Sequence, residues 1–344
     1  GLQSIKQELY TLQKLKHPHI IQLLDHFMLV ESDPKRKSRH KRISLYIFMH
    51  FAPKGTLYDL LHKEGPFDEK DSRYWFAQML SAMVYMHNKR IAHRDLKLQN
   101  VLLDVNHDCL ISDFGLCKVY AETEERIGIE AFEAKTFCGT TAYMPPEMLD
   151  RKRDNKSKYK YNPFMADVWA LGVILFQLFT SEQPFPSTNK MRVGKVVRLM
   201  HKKAYVWGGR GGHHPTPLLE MIVKLMLDPN VKSRATMKSL TENPWVIDTY
   251  KIVEQKCADL MRAQTDKNKS GQTPSGQVSK RVPDNEKLNK RPKEEPKAAV
   301  SPKDKNNMRV ESTGSGYYQE LIKGQQKVRS VSQYKGPNTP NNIH

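Results

Sequence analysis

Acidic residues are in short supply. The 344-residue chain carries 37 Asp and Glu against 56 Lys and Arg, a formal net charge of +19. Such a surplus raises nucleic acid as a partner, so its distribution matters more than its size. The runs DPKRKSRHKR (33–42) and DRKRDNKSKYK (150–160) lie between apolar segments, where loops belong. The first has no interleaved aromatic, neither forms a reading helix, and no specific nucleic-acid partner is expected. Cysteine is scarce too. Cys109, Cys117, Cys138 and Cys257 lack metal-ligand spacing and are too few for a disulfide framework, which favours a reducing compartment. The cytoplasm is expected, with nuclear entry through the basic C-terminal tail as a second expectation. Long hydrophobic runs are missing as well: WALGVILFQLF (169–179) is too short for a bilayer and contains Gln177, so it reads as a buried core helix. No signal-peptide pattern, membrane partner or internal repeat is indicated. Nor is there any GxGxxG string; the glycine-rich GGRGGHHP (208–215) follows helical sequence with no strand before it and reads as a surface loop.

What is present alternates in a purposeful way. Ile5, Leu9, Leu12 and Leu15 share one helical face over residues 3–16, with Glu8 among basic and amide neighbours. The helix leads through HPHI to the strand-like IIQLLDHFML and then to ISLYIFMHF, rich in β-branched and aromatic residues. Helical sequence follows. In DEKDSRYWFAQMLSAMVYMHNK, Asp68 can cap the start, and Trp75, Phe76, Met79, Leu80, Met83 and Val84 repeat over several turns. The expected class is α+β, a small strand-bearing region followed by a larger helical one. Near residue 255 the character changes, and from Gln264 onward Lys, Asn, Pro, Ser, Gly and Gln dominate. Such composition buries too little apolar surface to offset ordering entropy, so the tail, 251–344, is expected to be largely disordered. Within it YYQELIKGQQ can form a transient helix, and Thr273, Ser301 and Thr339 precede prolines as candidate phosphorylation sites.

Chemistry begins at IAHRDLKLQNVLLD. A polar loop between an apolar helix and the apolar NVLLD places Asp95, Lys97 and Asn100 at fixed offsets. Phosphoryl transfer needs that set: a carboxylate to orient a hydroxyl nucleophile, a cation for the moving phosphoryl oxygens, and an amide oxygen for Mg²⁺. Eighteen residues after Asp95, LISDFGLCK supplies Asp113 before a glycine that lets the backbone turn, suited to a second metal ligand.

Taken together, these two motifs identify residues 1–250 as resembling a eukaryotic protein kinase catalytic domain of serine/threonine type. The resemblance implies a bilobal fold with an incomplete N-terminal lobe (1–52) and a mainly helical C-terminal lobe (53–250). It also implies ATP and Mg²⁺ as cofactors and protein Ser/Thr hydroxyls as acceptors. By position, Asp95 is the catalytic base, Lys97 neutralises the γ-phosphate, Thr140 bridges the two, and Asn100 and Asp113 hold Mg²⁺. Met49 is the expected gatekeeper. His50, Phe51 and Ala52 form the hinge that meets adenine through backbone groups, and Leu102 lies in the floor beneath it. Glu147 of MPPEML, where Pro145 replaces the family's alanine, is expected to pair with Arg234, and Asp167 of ADVWALGVILFQL to hydrogen-bond the catalytic-loop backbone. Leu12, Leu23, His93 and Phe114 match a stack of side chains tying the lobes together, His93 by packing and a backbone hydrogen bond, not by acid/base chemistry.

Further expectations follow from the resemblance. Thr136 in AKTFCGTTAYMPPE stands where many kinases carry an activating phosphate, which could pair with Arg94 and Lys118; an upstream activating kinase is then a partner. KTFCGTTAYMPPEML and SLTENPWV look most like the calcium/calmodulin-dependent group, including AMP-activated-like and testis-specific kinases. Where related kinases use carboxylates to select arginine, this chain has Thr56, Gln99 and Gln177, so weak arginine selection is expected. The family also needs a glycine-rich strand pair and a third-strand lysine partnering the helix glutamate, here Glu8. That lysine is expected on the order of ten residues before Gly1, which makes the sequence an N-terminal fragment that is poorly active as it stands. The alternative is a pseudokinase or scaffold that holds partners without efficient catalysis.

Overall fold

A computed structural model of the chain describes residues 2–31, 42–121, 132–150, 160–207, 214–270 and 309–311. The basic runs at 33–41 and 151–159, glycines 208–212, YYQELIKGQQ, Thr273, Ser301 and Thr339 lie outside the described residues. Two compact units are formed, residues 1–24 with 49–298, and residues 25–48 with 299–344.

The larger unit begins with α1 (Leu2–Lys14). Leu12 and Leu15 of its apolar stripe are buried, whereas Ile5 is exposed. The HPHI turn is stitched to β5 (Cys109–Ile111): Ile21 donates its N–H to the Ile111 carbonyl at 2.9 Å, and Ile111 donates to His19 at 2.9 Å. Next come α2 (Leu57–Glu64) and α3 (Glu69–Asn88). The Asp68 carboxylate caps α3 by accepting the Asp71 N–H at 2.7 Å. Short strand pairs follow, β3 (Ile91–Ala92) with β6 (Lys118–Val119) and β4 (Val101–Leu103) with β5, both antiparallel.

The core is built on α5 (Pro163–Thr180), preceded by the short α4 (Pro146–Leu149). Asn162 caps α5 through its side-chain oxygen, which accepts from Phe164 and Met165, and Pro163 occupies the first turn, where no N–H is needed. By length and composition α5 could cross a membrane, but all of it is buried within this unit, as its all-round apolar surface requires. Each fully buried Leu, Ile or Phe there contributes about 1.5–3 kcal/mol. Gly172 is where α7 (Pro217–Met226) approaches: a Cβ at this position would stand 2.8 Å from that of Met226. The unit is completed by α6 (Val193–His201), α8 (Met237–Thr241) and α9 (Ile247–Ser270).

Helix α9 runs through the boundary expected at residue 250. Val253 and Cys257 are buried against α3, so the folded domain extends into what the composition suggested was tail. A polar contact reinforces the seam. His17 Nδ1 accepts the His19 N–H at 3.1 Å, so Nε2 carries the proton toward Ser81 Oγ at 3.2 Å, and Ser81 donates to Glu254 at 2.5 Å. Burial, with His19 alongside, pushes the His17 imidazole down to about 3, so the ring stays neutral.

The smaller unit is a sheet ordered β2-β1-β7, from β1 (Leu23–Glu31), β2 (Arg42–Met49) and β7 (Arg309–Glu311). β7 pairs antiparallel with β1, Leu29 opposite Val310. Phe27 stacks on Tyr46 and Phe48 at centroid distances of 4.8 and 5.6 Å, a cross-strand aromatic cluster.

Candidate active site

Asp95 lies on the loop between β3 and β4, which closes in a 3₁₀ turn at Leu98–Asn100. What shapes this loop is Asp167 from buried α5. Its carboxylate accepts the N–H of His93 at 2.9 Å, that of Arg94 at 2.8 Å and His87 Nε2 at 3.0 Å. Arg94 has φ 67°, a left-handed conformation that costs a non-glycine residue about 1 kcal/mol or more, and the double grip on the loop holds it there. His93 packs 5.5 Å from the Phe114 ring and shares a hydrogen bond of 3.1 Å with the Ser112 carbonyl. His87 is a support that the motifs did not flag; its only sequence sign is a histidine in the last turn of the helix before the loop.

Asp95 itself is 8% exposed and ringed by donors. Thr140 gives Oδ1 both its N–H and its hydroxyl, each at 2.8 Å. Lys97 Nζ sits 2.6 Å from Oδ2 and 3.2 Å from Thr140 Oγ1, and Asn100 Nδ2 reaches the Asp95 carbonyl at 2.9 Å. The segment carrying Thr140 can come this close because the preceding residue is Gly139, at φ 102°: a Cβ there would lie 2.5 Å from the Arg94 carbonyl oxygen. A cavity of about 20 Å³ under the loop, bordered by Asp95, Thr140 and Tyr161, has room for a water molecule but not a nucleotide.

Asn100 and Asp113, the expected metal ligands, are linked through Ser112. Asn100 spends its amide N–H on Asp95, which leaves its oxygen as the acceptor for a cation. Its main-chain carbonyl takes both the N–H and hydroxyl of Ser112, at 2.9 and 3.0 Å, setting Asp113 alongside. Asp113 is exposed at φ 64°. An amide oxygen and a carboxylate suit a hard divalent cation that completes its shell with phosphate oxygens and water.

Glu8 stands near Asp113. A Cβ at Gly115 would be 3.6 Å from its Oε2. Partial burial, together with the Asp113 charge, raises the Glu8 carboxyl above its ordinary value, and among the described residues no cation pairs with it. The hinge segment is open: Met49 and Phe51 are 44% and 79% exposed. His50 gives its N–H to Gln22, and residues 54–56 hydrogen-bond along β4, which sets Leu102 opposite Thr56.

Around the site, Arg234 and Glu147 form the expected pair with bidentate bonds of 2.8 and 2.9 Å, the guanidinium 5.1 Å from the Trp169 ring. The regulatory trio is not assembled. Thr136 is exposed; Lys118 lies over the Tyr120 ring at 5.0 Å. Arg94 Nε donates to the Leu116 carbonyl at 2.6 Å, and its guanidinium also bonds Tyr161. Tyr161 in turn donates to the Thr136 carbonyl at 3.3 Å, so Tyr161, which sequence reasoning missed, links the two. Of the positions read for arginine selection, Thr56 caps α2 with Asp59, Gln177 is buried in α5, and Gln99 is exposed. Burial pushes the Cys109 and Cys117 thiols well up, as inert packing groups.

A buried carboxylate held between a hydroxyl and an ammonium, with an asparagine and a second aspartate following it, is the arrangement the kinase resemblance predicted. The chain belongs to the protein kinase family: the protein kinase domain matches residues 2–246. It is 32% identical over 250 residues to CBL-interacting serine/threonine-protein kinase 13 of Arabidopsis thaliana, covering 73% of this chain and 43% of that protein. Over 249 residues it is 30% identical to maternal embryonic leucine zipper kinase of Danio rerio, covering 72% and 32%. With the probable serine/threonine-protein kinase MARK-A of Dictyostelium discoideum it shares 32% over 252 residues, 73% and 21%. The chain spans less than half the length of each of these relatives.

Proposed function

We propose that the chain transfers the γ-phosphate of ATP to serine and threonine hydroxyls of proteins. The observation that carries this reading is Asp95, with Thr140 and Lys97 closed around it. Asp95 orients the acceptor hydroxyl and takes its proton, Lys97 stands ready for the charge on the transferred oxygens, and Thr140 holds the two in register. Asn100 and Asp113 would hold Mg²⁺, which supplies charge neutralisation to the phosphates when bound. The hinge, His50 to Ala52, would meet adenine through backbone groups over Leu102. Phosphate on Thr136, added by an upstream kinase, would draw Arg94 from Tyr161 and recruit Lys118. Uncharged Thr56 and Gln99 and the burial of Gln177 favour weak selection of arginine near the acceptor. A reducing compartment, the cytoplasm or nucleus, suits the buried thiols.

One observation favours the second reading, a scaffold: Glu8 faces a carboxylate, an arrangement that repels nucleotide phosphates unless a cation intervenes. The test is Mg-ATP phosphorylation of a mixed Ser/Thr peptide library by this chain and by its Asp113→Asn variant. Transfer that is weak but lost in the variant supports the kinase; no transfer by either supports the scaffold.

A further inference from the structure

Between Glu182 and Glu220 the sequence contains no acidic residue, yet Lys190, Arg192, Lys195, Arg198 and Lys202 all fall there. The structure gathers them on α6 and the turn before it. All five side chains are exposed, while Val196, Val197 and Met200 face the core. Lys195, Arg198 and Lys202 are spaced i, i+3, i+7, one stripe of the helix. Among the described residues none of the five has an acidic partner; the neighbouring Lys203 is paired, with Asp228 at 3.2 Å. Like charges in one stripe repel each other, so the arrangement works against the helix that bears it.

The turn leading into α6 adjoins the site. Helix α6 packs on α4, and the Thr188 hydroxyl donates to that of Thr141 at 3.3 Å, next to Thr140 on Asp95. We propose that α6 is a docking surface for an acidic segment of the protein that is phosphorylated, a statement that rests on the kinase reading. Its chemistry favours protein over the other polyanions. From Pro186 to Ala204 there is no Phe, Tyr or Trp side chain on which bases could stack, and His201 is the single ring. The apolar face of α6 is spent on the core, so it cannot be buried in lipid as an interfacial helix requires.

Binding of a fluorescent Glu/Asp-rich peptide without Ser, Thr or Tyr tests this by anisotropy on the full chain, with no nucleotide present. Reversal of the stripe (Lys195→Glu, Arg198→Glu, Lys202→Glu) is expected to weaken binding tenfold or more at 50 mM salt and to flatten the salt dependence. Reversal of three tail lysines, Lys287→Glu, Lys290→Glu and Lys293→Glu, is expected to change it less than threefold. A stripe set changed to Gln serves if the Glu set lowers the melting temperature. Equal binding by wild type and stripe variants overturns the proposal, as does an equal effect of the tail variants. Loss of binding to anionic vesicles or single-stranded oligonucleotide, with peptide binding unchanged, also overturns it. In transfer assays an acidic segment on the substrate should lower KM with kcat unchanged, and only when the stripe is intact. Peptide binding without any transfer would unseat the kinase reading and leave the surface standing.

Discussion

Two carboxylates in the larger unit meet opposite fates. Asp95 is almost fully buried, yet every approach to it is a donor: a hydroxyl, an ammonium and a backbone N–H. Glu8, half-buried on α1, faces another carboxylate, so folding raises its proton affinity. The difference lies in where their partners come from. Asp95 draws its surroundings from a loop pinned by α5 and from the segment that begins at Asp113, all within the matched domain. Glu8 is shaped for a cation that the described residues do not provide. Burial of a charge is tolerable when the protein encloses it with donors and unfavourable when it does not.

The comparison is broken most severely by removing the scaffold under Asp95. Asp167→Ala strands the buried donors of His93, Arg94 and His87, and is expected to cost about 3–5 kcal/mol, read as a lower urea midpoint at unchanged slope. A loss under about 1 kcal/mol would mean that the loop holds itself. Thr140→Val acts one step outward: the backbone N–H to Asp95 stays but the hydroxyl is lost, for about 1–2 kcal/mol by the same titration. Thr140→Ser should restore most of it; failure to do so would mean that the hydroxyl holds Asp95 only with the methyl beside it.

The smallest effect has the opposite sign. Because burial and Asp113 raise the folded-state value of Glu8 above 4.5, its charged form opposes folding. That penalty is complete above the raised value and vanishes below the ordinary 4.5. Glu8→Gln should therefore raise the melting temperature by a degree or two at pH 7.5 and leave it unchanged near pH 4. A gain of equal size at both pH values would show that the change acts through helix propensity. Added Mg²⁺ should shrink the gain at pH 7.5 if a cation at Asp113 offsets the repulsion.

The catalytic loop was legible in the sequence because its chemistry depends on short spacings: Asp95, Lys97 and Asn100 fall within one loop and one turn. Glu147 and Arg234 were legible for another reason, a family pattern whose members lie far apart in the chain, and the bidentate bond agrees with it. Tyr161 was not. A tyrosine beside a basic loop carries no local signal, and its role as a bridge from Arg94 to Thr136 exists only once the activation segment folds back over β3. The packing of α9 was hidden for a similar reason: the helix is polar along most of its length, yet Val253, Glu254, Lys256 and Cys257 meet α3.

What the sequence determined by itself was the family, since its motifs are contiguous strings whose offsets fix which residues share a loop. The tertiary structure decided what surrounds them. It placed Glu8 near Asp113, gave His17 a fixed tautomer beneath α9, and set a row of cations on α6 with no acidic partner among the described residues. Each of these joins residues distant in the chain, and electrostatic energy depends on distance through space, which composition cannot express.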